Sequence, residues 1–445
     1  MKIIIGFLLA FAQIAVASPL VSKETIQRQK DFTSLHHTSN GIPVILRNEP
    51  SSKIALISIQ FDYGLKDSKP GKKSVPGLMS SLMARATKSY SKDEMSRLTE
   101  KYALPLGCSS GIDQSSCSME TVETYWDATL PLLASVVKEP LFDPSDIKLY
   151  ADRSIAGAKK IQSDPEDFVN EIANRVYYPL GHPYINPVAD QISELPNIGP
   201  LELSNSHLEM LDAQRMSIVV VSNMDPKKIL KDLNEHFGSL KANPNFKRYK
   251  VEYPDNHSLK KLSYEFRDIP TSYIRIKFPT PNATHPDAVA MKLLFDVLAE
   301  EMHTEIRTKR GLSYAAHAMT SQISIGHGVL AVSTPKPKEV IPVILSILKK
   351  LQTKLLPQSQ LNEYKKGFAT SYLASGETHS SLAGSLLGSW YYFGNTTNGY
   401  DFPTVLDKVS NKEIKKLASA YFKDMKIGFI GPASQFDESW FQALP

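Results

Sequence analysis

Leu130-Pro131-Leu132-Leu133-Ala134-Ser135, followed by Pro144-Ser145-Asp146-Ile147 and Tyr150, returns later in the chain in altered form. The second copy reads Ile341-Pro342-Val343-Ile344-Leu345-Ser346, followed by Pro357-Gln358-Ser359, Leu361 and Tyr364. Each copy reads as an apolar helix, a turn, and a second helix opening on proline, a residue suited to a helix start. The spacing is 211 residues from Pro131 to Pro342, 213 from Pro144 to Pro357 and 214 from Tyr150 to Tyr364. A slowly drifting offset over one helix-turn-helix segment predicts two copies of one domain.

Strand signals extend the repeat outward. Val44-Ile45-Leu46 and Ile54-Ala55-Leu56-Ile57-Ser58-Ile59 read as paired strands after the turn at Asn40-Gly41. Leu262 to Phe266 and Ser272-Tyr273-Ile274-Arg275-Ile276-Lys277-Phe278 take that part in the second half. Between the halves, Lys241 to Ser258 is rich in Pro, Asn and Lys, a linker composition. The boundary falls near residue 250, giving domains 18–245 and 258–445. The fold class is α+β: two tandem homologous domains, each an antiparallel-type sheet packed with long amphipathic helices.

The 445 residues are 42% apolar and 22% charged, an ordinary globular composition that favours two domains over one at this length. The net charge of +5 is spread along the chain without a basic tract, so nucleic acid is not an expected partner. Lys2 followed by the apolar run Ile3 to Ala17, ending in Ala15-Val16-Ala17, reads as a signal peptide over residues 1–17 with cleavage before Ser18. The other reading is a membrane anchor, for which the run is short. No later stretch is long and apolar enough to span a bilayer, so the mature chain is expected to be soluble; the leader makes it exported, periplasmic or secreted. The two cysteines, Cys108 and Cys117, flank a short polar stretch holding Gly111 and Asp113. If that stretch is a hairpin they face each other and can form a disulfide in an oxidising compartment; otherwise they are a buried pair of thiols.

Four segments resemble the pitrilysin/insulinase-type zinc metallopeptidase family over nearly all of the mature chain. They are Asn40 to Leu46, Gly64 with Pro70 to Gly77, Leu180-Gly181-His182-Pro183-Tyr184, and Arg307-Thr308-Lys309-Arg310-Gly311-Leu312-Ser313-Tyr314. The resemblance implies two domains enclosing a central cavity. Active members carry H-x-x-E-H on the first helix, where two His at i and i+4 bind zinc and the Glu serves as general base. Aligned through Thr87, the His positions fall on Gly77 and Ser81 and the Glu on Ser80. The stretch expected to supply a distal Glu, Ile155-Ala156-Gly157-Ala158, has no carboxylate. Ser and Gly do not replace imidazole and carboxylate. The chain is therefore expected to bind no zinc and to be inactive alone. His182 reads as a turn residue, and Glu300, Glu301 and His303 as a solvated helix face opposite the stripe Leu294, Leu298, Met302 and Ile306.

Taken alone, Arg307, Lys309 and Arg310 before Gly311 are cations at a helix C-terminus. The resemblance adds that Arg307 grips a peptide substrate and that the Tyr314 hydroxyl helps hold an oxyanion. Some bacterial members divide these halves between two chains. The expectation is a non-catalytic subunit of an exported heterodimeric metallopeptidase. It lends Arg307 and Tyr314 to a related subunit that carries the zinc. The competing reading is a peptidase-derived binding or scaffold protein with no role in proteolysis. The leader argues against a mitochondrial scaffold, whose targeting segment is Arg-rich and amphipathic.

Overall fold

The computed structural model describes residues 19–255, 257 and 259–445. The segment read as a leader, 1–17, lies outside the described residues. Among those described, no helix is long and apolar enough to cross a membrane.

Two sheets organise the chain. The first holds β1 (Thr33–His37), β2 (Pro43–Asn48), β3 (Ile54–Phe61), β4 (Leu106–Ser110), β5 (Ser115–Val122) and β6 (Met216–Ser222), in the order β1-β2-β6-β3-β5-β4. The second holds β7 (Leu262–Phe266), β8 (Ser272–Thr280), β9 (Ala315–Gln322), β10 (Gly326–Thr334) and β11 (Lys426–Gly431), in the order β7-β11-β8-β10-β9. The helices used below are α1 (Val75–Met83), α2 (Trp126–Lys138), α3 (Pro144–Ser163), α4 (Pro165–Tyr177), α5 (Ala288–Met302), α6 (Pro337–Thr353), α7 (Gln358–Ser375) and α8 (His379–Phe393).

The expected pairing of Val44–Leu46 with Ile54–Ile59 does not occur. β6 lies between β2 and β3, parallel to the first and antiparallel to the second. In the same way β11 separates β7 from β8. Each sheet therefore carries one parallel pair among antiparallel ones. The cause is burial. Every residue of β6 and of β11 is buried, and a strand covered on both faces takes an interior place in a sheet. The expected antiparallel-type sheets are mixed because the last strand of each half returns to an interior position beside a strand that runs parallel to it.

Strand alternation gives each sheet two buried faces. On the first sheet, Ile57, Ile59 and Phe61 pack outward with Leu78, Leu82, Leu133 and Val137 in one core. On the second, Ile274, Ile276 and Phe278 pack with Leu294, Leu298, Ile344 and Leu348 in another. The inner faces are closed by exchange. α4, from the first half, lies on β8 and β11 of the second sheet. There Phe168, Val169 and Ile172 meet Ile430. α8, from the second half, lies on β3 and β6 of the first sheet. There Ala383, Leu386 and Leu387 meet Ile45, Leu56, Val219 and Val221. The repeated Pro144 and Pro357 mark the arms that carry these helices: α3 leads into α4 and α7 into α8.

Polar contacts fasten the exchange. Arg275 on β8 pairs with Glu166 at the start of α4, and Lys277 Nζ donates to Asn174 Oδ1 at 2.6 Å. Arg248, in the segment expected to be a linker, donates through Nε to Asp62 at 2.7 Å and through Nη1 to the Tyr391 carbonyl of α8 at 2.6 Å. Lys66 Nζ reaches the same carboxylate at 2.6 Å. Asp113, at the β4–β5 turn, accepts from the Tyr184 hydroxyl and from the Ser324 amide at 3.0 Å in the β9–β10 turn. The two hairpin turns are thus pinned together across the halves.

The two inner faces differ in tightness. A Cβ placed on Gly428 of β11 would lie 2.5 Å from the Ala173 amide nitrogen and 2.8 Å from its Cα. A Cβ on Gly388 of α8 meets nothing within 4 Å. Gly428→Ala is therefore expected to destabilise the protein by about 1–3 kcal/mol through overpacking. Gly388→Ala is expected to stabilise it by about 0.5–1 kcal/mol through helix propensity. Denaturant unfolding of the two variants beside the parent checks both signs.

Candidate functional site

α1 starts at the end of a loop held down by backbone bonds. Leu65 and Lys66 amides donate to the Gly111 and Ile112 carbonyls at 3.0 Å each. Gly64 is required there, since a Cβ would meet the Ile112 carbonyl oxygen at 2.6 Å. Pro76 occupies the first turn of the helix, and Leu78, Met79, Leu82 and Met83 bury its core face. Gly77 and Ser81 fall on the exposed side and Ser80 is buried.

Neither serine hydroxyl is available in its present position to bind a metal. Ser80 Oγ donates to the Pro76 carbonyl at 2.8 Å and Ser81 Oγ to the Gly77 carbonyl at 2.9 Å. These back-bonds to the preceding turn are the ordinary resting place for serine inside a helix. The helix borders a cleft of about 560 Å³ that also takes in Lys73, Ser110 and Ser154. Ser154 sits on α3, one residue before the stretch expected to supply a distal carboxylate, and that neighbourhood was its only signal in the sequence. Ile155 packs against the core and Ala158 is buried. Lys73 Nζ donates to the Pro183 carbonyl at 3.1 Å, and burial lowers its pKa from the usual lysine value. No carboxylate or imidazole lines this cleft. Among the described residues no group of three or more His, Cys, Asp and Glu is arranged to hold a metal. A donor set of backbone-bonded serines, glycine and a lysine does not fit zinc, which takes imidazole, thiolate or carboxylate.

Cys108 and Cys117 face each other in the β4–β5 ladder, with Cα atoms 4.0 Å apart and their sulfurs joined. Cys117 is buried in the first core while Cys108 reaches the cleft. The bond ties the edge strand β4 to the body of the sheet.

In the second half, α5 ends in a turn of π-helix over His303–Thr308. The wider turn carries Arg307 and leads to Gly311 at φ +59°, a left-handed helix stop. Lys309 Nζ pairs with Glu305 at 2.6 Å and Arg310 pairs with the same carboxylate. Arg307 does not share it. Its guanidinium carbon stands 4.1 Å above the ring of Tyr314, and among the described residues the guanidinium makes no hydrogen bond or ion pair. Tyr314 is 82% exposed. Ser313 fixes the tyrosine's backbone by donating to the Ala315 and Ser333 carbonyls at 2.8 and 2.7 Å. The structure thus brings Arg307 and Tyr314 to each other, while neither lines the cleft beside α1.

His182 is a turn residue: Gly181 before it has φ +80°, and its Nδ1 accepts from the Tyr184 amide at 3.1 Å. Burial lowers its pKa from the usual histidine value. The face expected to be solvated at Glu300, Glu301 and His303 is solvated only in part. Glu301 is buried and takes Lys350 Nζ at 2.7 Å on both oxygens. A carboxylate at the edge of the apolar stripe is held there by a lysine from α6.

Comparison with known proteins gives the family. The insulinase (peptidase family M16) model matches residues 43–188 and the peptidase M16 inactive domain model matches residues 197–368. An uncharacterized zinc protease of Mycobacterium leprae is 19% identical over 288 residues, a match covering 62% of this chain and 63% of that protein. A protease from Helicobacter pylori superposes with a TM-score of 0.80 at 17% identity, over 90% of this chain and 99% of that one. A peptidase M16 inactive domain from Pseudomonas fluorescens gives 0.79 at 18%, over 90% and 98%. At these identities the structures share the fold, while the two sequence models together cover both halves of the chain. The chain belongs to the insulinase-type peptidase family M16.

Proposed function

We propose that this protein is a non-catalytic subunit of an exported, periplasmic or secreted, zinc metallopeptidase. It presents Arg307 and Tyr314 to a related partner chain that carries the zinc. The observation that carries this reading is the guanidinium of Arg307, which has no hydrogen-bond or ion-pair partner among the described residues and lies on an exposed tyrosine. The neighbouring cations, Lys309 and Arg310, are both committed to Glu305. An exposed cation–π contact is worth only about 0.5–1 kcal/mol, so Arg307 is readily surrendered to a peptide carbonyl or carboxylate. The phenol is a neutral donor that can meet a developing oxyanion. Because neither group lines the chain's own serine-walled cleft, action on a second chain's metal suits the geometry.

The chain's residues have separable tasks in this reading. Arg307 binds substrate through its multi-donor fork. Tyr314 donates one hydrogen bond where charge develops. Gly311 and Ser313 hold the turn that sets the two side by side. The zinc and the general base come from the partner.

Mixing with an M16 chain that carries H-x-x-E-H is expected to give peptidase activity that neither chain shows alone. Tyr314→Phe should lower kcat by about 10²–10³ with assembly unchanged, since one oxyanion donor is lost and the ring remains. Arg307→Ala should raise KM as well as lower kcat, because a gripping group acts in the ground state too. Steady-state kinetics on the mixed complex decides this, and an active mixture indifferent to both substitutions makes the chain a scaffold.

Export also bears on the cysteines. Non-reduced peptide mass spectrometry of the exported protein should recover Cys108 linked to Cys117. Changing both to Ser should cost about 2–3 kcal/mol in denaturant unfolding, the scale for a short closed loop. Two free thiols would overturn the disulfide.

A further inference from the structure

A ninth helix, α9 (Asn411–Tyr421), packs beside α6 on the outer side of the second sheet. Ile414, Leu417 and Ala418 turn one of its faces into the core that Ile344, Leu348 and Leu351 of α6 share. The helical period then places Lys412, Lys415 and Lys416 on the opposite face. Ser419 Oγ donates to the Gln352 carbonyl at 3.1 Å, and Gln352 Nε2 donates to the Phe422 carbonyl at 3.2 Å. Asn411 Nδ2 donates to Gln358 Oε1 at 2.9 Å. The chain from 352 to 358 therefore runs alongside α9 from its end to its start. Lys354 and Leu355 lie between those two anchors. Lys349 precedes Gln352 by one helical turn, and Lys423 follows Phe422.

Six lysines thus share one elongated surface: Lys349, Lys354, Lys412, Lys415, Lys416 and Lys423. Lys415 is half-buried and the other five are exposed. Among the described residues none of the six ammonium groups makes a hydrogen bond or ion pair. Lysines just outside the patch are engaged. Lys350 pairs with Glu301, and Lys365 Nζ donates to the Asp407 carbonyl at 2.6 Å. Of the two carboxylates nearest in sequence, Glu413 accepts from the Ser410 amide at 3.4 Å and Asp424 stands by Lys426. Unneutralised like charges repel one another within the screening length of about 10 Å. Such a surface gains when an anionic layer covers it.

The residue types narrow the kind of layer. None of the exposed residues at 349–355 and 411–423 is an arginine or an aromatic. Nucleic acid is gripped by arginine forks and by rings that stack on bases, and this surface offers neither. Lysine carries a point charge on a flexible stem, which suits phosphates spread over a plane without fixed positions. In the midst of the lysines Leu355 is 53% exposed. An apolar side chain ringed by cations is the arrangement that enters a headgroup layer while the charges stay at its surface. We infer that the lysine face of α9, with Lys349, Lys354 and Leu355, docks the protein on an anionic phospholipid bilayer. Neither Arg307 nor Tyr314 belongs to this face, and none of its six lysines lines the cleft beside α1.

Cosedimentation with vesicles tests the assignment. One set is phosphatidylcholine alone, and the other is equal parts phosphatidylcholine and phosphatidylglycerol. The mature chain should bind the second set at least tenfold more tightly than the first. Salt at about 1 M, where the screening length falls to about 3 Å, should release it. The triple variant Lys354→Glu, Lys412→Glu, Lys416→Glu should bind at least tenfold more weakly, and Leu355→Ser at least threefold. A second triple variant, Lys227→Glu, Lys231→Glu, Lys247→Glu, has the same net charge with the patch intact and should bind as the parent does. Unfolding curves confirm that each variant is folded. No preference of the parent for the anionic vesicles overturns the assignment. Equal losses in the two triple variants overturn it in favour of net charge. Binding of the parent to polyuridylate without binding to vesicles overturns it in favour of nucleic acid. No partner chain is needed, so an inactive mixture in the peptidase assay leaves this result standing.

Discussion

The structure depends on an exchange of helices: each sheet has one face that only the other half can bury. Ile45, Leu56, Val219 and Val221 of the first sheet are covered by α8, and Ile430 of the second by α4. Fully burying a side chain of this size contributes about 1.5–3 kcal/mol, so uncovering either face would be a large fraction of a typical folding free energy. The exchange therefore joins the halves more firmly than the segment between them does. Even that segment is recruited, since Arg248 bridges Asp62 to the backbone of α8. The hairpin turns around Asp113 and Ser324 close the other end. α1 and the Arg307–Tyr314 pair are consequently parts of one body.

Much of this was legible in the sequence because it rests on local chemistry. The drifting repeat around Pro144 and Pro357 marked two related halves, and the glycine at 311 marked the helix stop that precedes Tyr314. Strand order was not legible in the same way. β2 and β3 are close in sequence and similar in pattern, but the fully buried β6 belongs between them, and only its unbroken run from Ile218 to Val221 hinted at a central place. The exchange was hidden for a related reason. Amphipathicity in α4 and α8 tells that each has an apolar face, and says nothing about whose sheet receives it. Glu301 escaped because its partner, Lys350, lies 49 residues away on another helix.

The two candidate sites differ in their polar chemistry. At α1, Ser80 and Ser81 are absorbed into the helix through back-bonds to the Pro76 and Gly77 carbonyls. At the turn after α5, Lys309 and Arg310 share the Glu305 carboxylate, while Arg307 has no carboxylate partner among the described residues.

If α1 occupies the family's zinc position with its donors removed, putting them back restores a metal site. Gly77 has open space for a side chain, and Gly77, Ser81 and Ser154 line one cleft. The triple variant Gly77→His, Ser81→His, Ser154→Glu restores two imidazoles and a carboxylate, a three-ligand set of the kind zinc takes with one position left to water. Elemental analysis after dialysis should find no stoichiometric zinc in the parent chain and one zinc in the folded variant. One tightly held zinc in the parent, or none in a variant that is folded, would contradict the account.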